Sequence, residues 1–382
     1  MVKSKPSSVA TASRRKFLGG AAVAAASMAA PAAVKAQGPV NMRFQSTWPS
    51  KDIFHEYALD FAKKVNDMTG GDLHIEVLPA GAVVPAFGLL DAVSKGTLDG
   101  GHGALAYHYG KQTALALWGS GPAFAMDANM LLAWHKYGGG KELLEKLYAS
   151  IGANVVSFPY APHPTQPLGW FKKPVTKVED LAGLKFRTVG ISIDVFTSLG
   201  ASVNALPGGE IVSAMDRGLL DAAEFNNASS DRALGFADVS KVYMLQSYHQ
   251  NAEQFEILFN KTKHDALSSK LRSIIANAVE AASQDMQWKA IDRYSKDYAE
   301  LQSKDGVKVY KTPDSILKKQ IDAFDEIAQT KAKDNPLFKE ILESQRAFAQ
   351  RTTRWEQDTV VSRRMAFDHY FGPNVNAAPK GG

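Results

Sequence analysis

Strand and helix patterns alternate along most of this 382-residue chain, and that alternation predicts an α/β fold in two lobes. Three observations carry the prediction. Short alternating or wholly apolar runs are followed repeatedly by apolar residues at helical spacing, the rhythm of mostly parallel sheets covered on both faces. Pro159, Pro162, Pro164 and Pro167 interrupt the rhythm near the middle, where an extended crossover between lobes is expected. Beyond Pro313 the strand signal stops and nearly everything reads as helix.

In the first lobe, Val40-Asn-Met-Arg-Phe-Gln45 alternates as a strand and Trp48-Pro49-Ser50 makes a turn. Ile53, Phe54, Tyr57, Ala58, Phe61, Ala62, Val65 and Met68 then share one helical face, which Gly70-Gly71 ends. Leu73–Leu78 alternates again, residues 79–81 turn, and a helix over 85–95 leads into Leu98-Asp99-Gly100. An aromatic-rich loop with Tyr107, Tyr109, Trp118 and Phe124, a helix over 128–150 and a strand near 154–158 complete that lobe. The second lobe takes strands at 168–172, 184–187, 202–206 and 219–224 and helices at 191–199 and 210–217. Over 246–253 the chain crosses back, forms a buried strand at 255–260 and a long helix after it, and adds a short edge strand at 307–310.

The expected division is therefore 37–164 for lobe 1, with 252–315 returning to it, 165–251 for lobe 2, and 316–382 for a C-terminal helical region. There, Leu337 to Tyr370 reads as one helix of some thirty residues, which at ~1.5 Å each reaches about 50 Å, longer than a lobe. Its apolar face either wraps its own monomer or is exchanged with a second subunit as a homodimer.

Residues 1–36 are basic, then apolar and small, with Ser13-Arg-Arg-Lys-Phe-Leu18 and Val34-Lys-Ala36. This is the pattern of a twin-arginine export signal cleaved after Ala36, giving a periplasmic protein. A membrane anchor is the competing reading, but the run is short, Ala-rich and interrupted by Pro31. Export also changes the charge argument. The segment carries Lys3, Lys5, Arg14, Arg15, Lys16 and Lys35 and no acid, so removing those six charges takes the formal +5 to −1. Nothing then points to nucleic acid or an acidic membrane as partner. Cysteine is absent, so an ordinary core, with no disulfides, must hold the exported chain.

Two charges stand out. Arg187 ends a strand-like run just before Gly190, and Glu224 closes another apolar run in the same way. At neighbouring strand ends they can grip a small acid and a cation together. Arginine suits the acid because its fork gives two parallel charge-assisted bonds. A carboxylate at the end of a buried strand is costly unless it is paired or on a metal. The plainer alternatives are an Arg187–Glu224 ion pair, or Arg187 paired with Asp194 or Asp216. Trp48, Tyr107 and Phe171 are candidates to wall the cleft and exclude bulky groups, or else core residues.

Other motifs carry less. His102 and His108 flank a Gly-rich turn and read as loop residues rather than a metal pair. Gly138-Gly-Gly-Lys141 lacks the spacing of a P-loop. Asn227-Ala-Ser229 fits a glycosylation pattern that an export signal of bacterial type makes coincidental.

Leu181-Ala-Gly-Leu-Lys-Phe-Arg-Thr-Val-Gly190, Leu199-Gly-Ala-Ser-Val-Asn204, Pro207-Gly-Gly-Glu-Ile211 and Ala214-Met-Asp-Arg-Gly-Leu-Leu-Asp221 together resemble the signature of one family. It is that of the substrate-binding proteins of TRAP (tripartite ATP-independent periplasmic) transporters. Gly96-Thr-Leu-Asp-Gly100 and Phe124-Ala-Met126 agree. The resemblance covers nearly all of the chain after residue 36 and implies a type II periplasmic-binding-protein fold, two α/β lobes joined by a hinge, that hands its ligand to membrane permease subunits. Through Gln45-Ser-Thr-Trp-Pro-Ser50, Ile53-Phe-His-Glu56 and the extended C-terminal helix it is most similar to members that bind 2-oxo acids such as pyruvate.

In such members an arginine and a glutamine hold the acid, while a glutamate and the backbone of the next, aromatic, residue help hold a cation. The resemblance maps these onto Arg187, Gln166, Glu224 and Phe225, with Gln166 also offering an oxygen to the cation. A further contact, acidic in the family, falls on Gln250 beside His249, and a tryptophan is usual where Phe225 stands. With Gln250 neutral, Na⁺ is favoured over Ca²⁺.

The expected function is a receptor for a small 2-oxo or 2-hydroxy monocarboxylate with a cation, and not an enzyme. The alternative is a metal-assisted enzyme acting on small 2-oxo acids. Against it, the sequence shows no nucleophile elbow, HExxH, cysteine, or lysine near the expected site. A sensor of the same acid shares the fold.

Overall fold

The computed structural model describes residues 1–2 and 38–372. The export signal and its cleavage point lie outside the described residues. The chain divides into two compact units, Met1–Val40 and Asn41–Gly382. Apart from Val40 itself, the strands and helices belong to the second.

They run in the predicted rhythm: β1 (Val40–Ser46), α1 (Ile53–Thr69), β2 (Leu73–Leu78), α2 (Leu89–Ser94), β3 (Gly100–Ala104), α3 (Ala128–Tyr137), α4 (Gly140–Ser150) and β4 (Val155–His163). Then come β5 (Gly169–Phe171), β6 (Lys185–Arg187), α5 (Ser192–Ser198), β7 (Ser202–Asn204), α6 (Gly208–Asp216), β8 (Ala222–Ala223), α7 (Ala228–Leu234), α8 (Phe236–Val239) and β9 (Val242–Leu245). The last are β10 (Glu253–Asn260), α9 (Lys261–Asp265), α10 (Ser269–Ser303), β11 (Lys308–Lys311), α11 (Asp314–Asp334), α12 (Pro336–Thr359) and α13 (Arg363–Phe371).

The strands form two sheets, ordered β2-β1-β3-β10-β4 and β11-β9-β5-β8-β6-β7. In the first, β1 and β3 are parallel while β10 is antiparallel to both β3 and β4. In the second, β6 is parallel to β7 and β8, and β5 is antiparallel to β8 and β9. Each sheet is therefore mixed rather than mostly parallel. The returning strand β10 enters from the crossover and runs against its neighbours. Every residue of β10 is buried, so the run 255–260 is apolar except for Glu256 and Asn260, which are paired inside by His108 and the Val93 carbonyl. β3 lies so close to β1 that a Cβ on Gly100 would clash with the Phe44 ring.

Several boundaries depart from the sequence reading. β4 continues through Pro159 and Pro162 to His163, because it lies at the sheet edge, where missing donors are tolerated. It bulges opposite Gln254 and Phe255. There Ala161 takes φ 57° and donates its N–H to Ser283 Oγ at 2.9 Å. The single helix expected over 128–150 is broken between α3 and α4 at Gly139, which takes φ 88°. His102 is a β3 residue rather than a loop residue. The segment 252–315 splits: β10 joins the first sheet, but β11 pairs in parallel with β9 on the second.

The long C-terminal helix is two helices. Val360 and Val361 leave helical geometry after α12, and Ser362 Oγ accepts from Met365 N at 3.2 Å to start α13. The first half of α12 wraps its own chain. Phe338, Ile341 and Ala349 enter the first core, and Gln345 Nε2 donates to Leu117 O at 2.9 Å. No residue of α13 is buried, and Trp355, Val361, Met365, Tyr370 and Phe371 are exposed.

Beyond the crossovers, further contacts join the side of the first sheet to that of the second. Ser230 Oγ on α7 donates to Asp52 Oδ1 at 2.7 Å, and Asp52 also accepts from Phe54 N to cap α1. Tyr109 donates to Asp194 on α5, which also meets Lys331 of α11 at 2.9 Å. Burial pushes the Asp52 carboxyl up to about 7 from its usual 3.8. The fold therefore favours the neutral acid, while the unfolded chain ionises near 3.8. Stability linked to that proton is present at low pH and is lost as pH rises toward 7. Asp52→Asn keeps the cap, so between about pH 5 and about pH 8 the variant should lose about 2 kcal/mol less than wild type at ~1.4 kcal/mol per unit. Urea unfolding across that range reads the difference.

Candidate functional site

The site is built on the parallel pair β6–β8, where Arg187 sits opposite Ala223 and Glu224 N donates to Arg187 O at 3.2 Å. That register sets the Arg187 and Glu224 side chains beside each other, both buried. Arg187 Nε donates to Leu206 O at 2.8 Å, and Nη1 donates to Glu224 O at 3.0 Å and to Glu224 Oε1 at 2.9 Å. The expected ion pair therefore exists, but it is incomplete. Arg187 Nη2 and Glu224 Oε2 are buried with no hydrogen-bond partner. Asp194 does not pair with Arg187; it meets Tyr109 and Lys331. The Arg187 guanidinium carbon lies 5.7 Å from the centre of the Phe225 ring, a cation–π contact that holds the fork over an apolar face.

The two crossovers supply the next layer. Gln166 N donates to Gln250 O at 3.2 Å, and Gly121 N donates to His249 O at 2.6 Å, which ties both segments together at the rim. Gln166 Nε2 and Asn226 Nδ2 donate to Glu253 Oε2 at 2.5 and 2.9 Å, and Gln250 Nε2 donates to Glu253 Oε1 at 3.2 Å. Gln166 Oε1, Gln250 Oε1 and His249 Nε2 are again buried and unpartnered. His249 Nε2 lies 4.0 Å from Glu224 Oε2. Burial, and then the neighbouring Glu224 charge, pushes the Glu253 carboxyl up to about 8, although Gln166, Asn226 and Arg187 pull it down.

The first sheet contributes the walls. Trp48 follows β1, donates Nε1 to His102 Nδ1 at 2.8 Å, and packs its ring 5.5 Å from Tyr107 and 6.5 Å from Phe225. His102 is held from its other side by Tyr160 and is thus fixed as a neutral acceptor for Trp48; burial depresses its pKa to about 3. His108 meets Glu256 at 2.6 Å in the core. Trp48, Phe54, Tyr107, Gln166, Arg187, Val189, Phe225, Asn226, Gln250 and Glu253 enclose a cavity of about 10 Å³, room for about one water.

Of the residues singled out from sequence, Arg187, Gln166, Gln250, Trp48, Tyr107, Glu224 and Phe225 meet here, and Phe171 does not. Successive strand residues face opposite ways. Trp170 turns to bond Asp231, while Phe171 stacks on Phe186 at 5.8 Å in the second core. Sequence reasoning missed Glu253 and Asn226. The signal for Glu253 was present, since it opens a buried strand as Glu224 closes one. It also means that a neutral Gln250 does not leave the site short of acid.

Among the described residues, no group of three or more His, Cys, Asp or Glu side chains forms a metal cluster. The donor set is different: one carboxylate oxygen and two amide oxygens without partners, beside a guanidinium N–H without an acceptor. Oxygen donors of that kind fit a hard cation, and the free guanidinium nitrogen fits an anion.

Two mixed α/β sheets joined by paired crossovers, with such a site where they meet, have the build of a solute receptor. The chain belongs to the bacterial extracellular solute-binding proteins of family 7, whose pattern it matches over residues 44–334. It is 32% identical over 355 residues to a monocarboxylate 2-oxoacid-binding periplasmic protein from Nostoc sp., covering 90% of this chain and 96% of that one. A TRAP transporter solute-binding protein from Bordetella bronchiseptica, a mixed-occupancy dimer with copurified calcium and picolinate, superposes with a TM-score of 0.82 at 28% identity, covering 87% of this chain and 97% of the other. Another from Pseudoalteromonas atlantica, with bound sodium and pyruvate, gives 0.80 at 29% identity over 87% and 99%.

Family and fold are thus those of TRAP solute receptors, and an extracellular family implies a periplasmic location. No helix among the described residues is long and apolar enough to cross a membrane.

The placement of Phe171 is directly testable. Phe171→Leu should lower unfolding free energy by roughly 1–2 kcal/mol, because it removes three buried carbons and the ring stacked on Phe186. It should leave affinity for any ligand of the site unchanged. Urea unfolding and calorimetry on one preparation read both.

Proposed function

We propose that this protein is the periplasmic receptor of a TRAP transporter and closes about a hinge on a small 2-oxo or 2-hydroxy monocarboxylate together with a cation. The observation that carries this reading is the set of buried atoms left unpartnered where the crossovers meet β6 and β8: Arg187 Nη2 beside Glu224 Oε2, Gln166 Oε1 and Gln250 Oε1. Leaving even one such group unpaired costs about 1–3 kcal/mol, so their gathering is best explained by a bound partner. The Nostoc relative is named for 2-oxo acids and the Pseudoalteromonas structure holds pyruvate with sodium, which supports the same ligand class.

In this reading Arg187 Nη2, with Gln166, takes the carboxylate. Glu224, Gln166 and the Phe225 carbonyl hold the cation, which supplies charge that lets an anion sit among acids. Glu224 now occupies both N–H groups of Arg187 Nη1. On turning its Oε1 to the cation it would release Nη1 for a second, parallel bond to the acid. Trp48 and Tyr107 limit the ligand's size. The walls from the first sheet and the charges from the second both contact the ligand, so binding favours the closed arrangement. Sodium and calcium both occur in related structures. We favour sodium for a singly charged acid, and a permease as the receiver of the ligand.

Calorimetry with pyruvate, lactate and succinate, with and without EDTA or added sodium, tests the ligand class. Pyruvate should bind, sodium should strengthen it, and succinate should not compete. Failure of every small acid to bind, or turnover of pyruvate by the purified protein, would overturn the reading. Arg187→Lys should keep the fold and weaken pyruvate binding by about 100-fold or more, given ~1.5–3 kcal/mol for each charge-assisted bond.

We also infer that the exposed end of α12 and α13 pairs with a second copy. Trp355, Val361, Met365, Tyr370 and Phe371 leave a run of apolar side chains uncovered, and the Bordetella relative is a dimer. Truncation after Thr353, which removes all five, should halve the mass seen by light scattering without altering pyruvate affinity; an unchanged mass would refute it.

A further inference from the structure

The geometry points to Glu253 as the positioning residue that sets the polarity of the site, turning the amide oxygens of Gln166 and Gln250, and not their N–H groups, toward the ligand space. This rests on the receptor reading above and adds a residue to it that neither motif nor resemblance supplied.

An ionised carboxylate accepts hydrogen bonds and cannot donate one; burial alone favours the neutral acid at Glu253, and a cation at the neighbouring oxygens favours the carboxylate. An amide that faces it must present its NH₂ group, and its carbonyl oxygen then points elsewhere. Glu253 imposes this on three amides at once, through Gln166 Nε2, Asn226 Nδ2 and Gln250 Nε2. Asn226 spends its oxygen on Asn227 Nδ2 at 2.9 Å. Gln166 and Gln250 spend theirs on nothing, and both line the cavity. A third oxygen, Glu224 Oε2, is likewise unpaired. With the amides reversed, the same residues would present N–H groups, which repel a cation. Glu253 thus makes an oxygen-lined pocket out of side chains that have no intrinsic preference for which end to present.

The arrangement around Glu253 is itself anchored. Its strand, β10, is the inner strand between β3 and β4. The two crossovers that carry Gln166 and Gln250 are tied to each other by the Gln166 N to Gln250 O bond at 3.2 Å. The amides therefore hang from tied backbones, and which end each presents is set by rotation about its terminal torsion, which Glu253 decides.

Glu253→Gln is nearly isosteric and breaks the rule. The substituted side chain has one oxygen and one NH₂, so at least one of the three amides meets a donor and must turn its own oxygen inward. The double variant Gln166→Glu with Glu253→Gln reverses the donor and the acceptor across the 2.5 Å contact. It keeps the net charge and again leaves a carboxylate oxygen at residue 166 for the cavity.

Sodium and calcium, each titrated alone and then with pyruvate, are followed by calorimetry and thermal shift on the wild type, the single variant and the double variant. In parallel, ¹H–¹⁵N spectra follow the side-chain NH₂ signals of Gln166 and Gln250. Glu253→Gln should keep its unfolding cooperativity, raise the cation needed for half-saturation about tenfold or more, and lose exchange protection of at least one NH₂ pair. The double variant should recover most of the cation affinity.

An unchanged cation requirement in Glu253→Gln, unaltered NH₂ signals, or a double variant no better than the single would overturn the proposal while wild-type binding stands. Absence of both pyruvate and cation binding in the wild type would instead overturn the receptor reading, and this proposal with it.

Discussion

The structure depends on a buried and incomplete ion pair. Taking an arginine and a glutamate out of water costs several kcal/mol per charge unless the partners and the remaining hydrogen bonds are in place. Here β6 and β8 bring Arg187 and Glu224 together at their ends, and the Leu206 carbonyl takes Nε. One nitrogen and one oxygen are still left over. The neighbourhood is shaped by that pair. Phe225 lays its ring under the guanidinium, and the start of α6 comes so near that a Cβ on Gly208 would clash with the Phe225 ring. Trp48 closes the opposite side, held by a neutral histidine that cannot add a further charge.

What was legible in the sequence follows from which physical signals are local. Arg187 and Glu224 stand at the ends of short apolar runs, and a charge in that place has to be explained, so both were visible. Gln166 and Gln250 lie on crossovers without periodicity and were visible only through resemblance. Glu253 carried the same kind of signal as Glu224 but a weaker one, because a single acid at the head of a strand also looks like a solvated end until the fold shows β10 buried along its whole length. Phe171 was misplaced because β5 lies inside its sheet, between β9 and β8. Both of its faces are apolar, so residue type could not say which side looks at the site. Proline removes a ladder donor, so Pro159 and Pro162 read as the end of β4. An edge strand loses nothing on its open side. The break after α12 came down to one capping hydroxyl, Ser362, within a stretch whose apolar spacing continues across it.

The two crossovers explain how one sheet's chemistry reaches the other. They lie side by side and share a backbone bond, and the isolated bridge from Gly121 to Gln250 fastens the loop after β3 to the same place. An opening between the sheets that keeps these bonds would pivot there. It must also part Tyr109 from Asp194 and Ser230 from Asp52, contacts outside the cavity. The strength of those contacts adds to, or subtracts from, the affinity seen for any ligand, because a bound partner has to supply only the remainder of the closing free energy. α11 bears on the same balance, since Lys331 meets Asp194 as well.

Charge explains why a pocket suited to an anion keeps two acids. Arg187 with Glu224 is neutral, Glu253 adds a negative charge when ionised, and an acid ligand adds another. At the separations of buried side chains such repulsion is worth several kcal/mol even at an effective dielectric of ~20, so an anion alone is poorly received. In the proposed function, a cation held by Glu224, Gln166 and the Phe225 carbonyl would reverse the sign of that term. The acids would then make the ligand and the ion conditional on each other, a coupling that acts equally in both directions. A site with Arg187 and no buried acid would hold carboxylates less selectively. The orientation of the two glutamine amides would matter for the same reason, since it decides whether an ion would meet oxygens or hydrogens there.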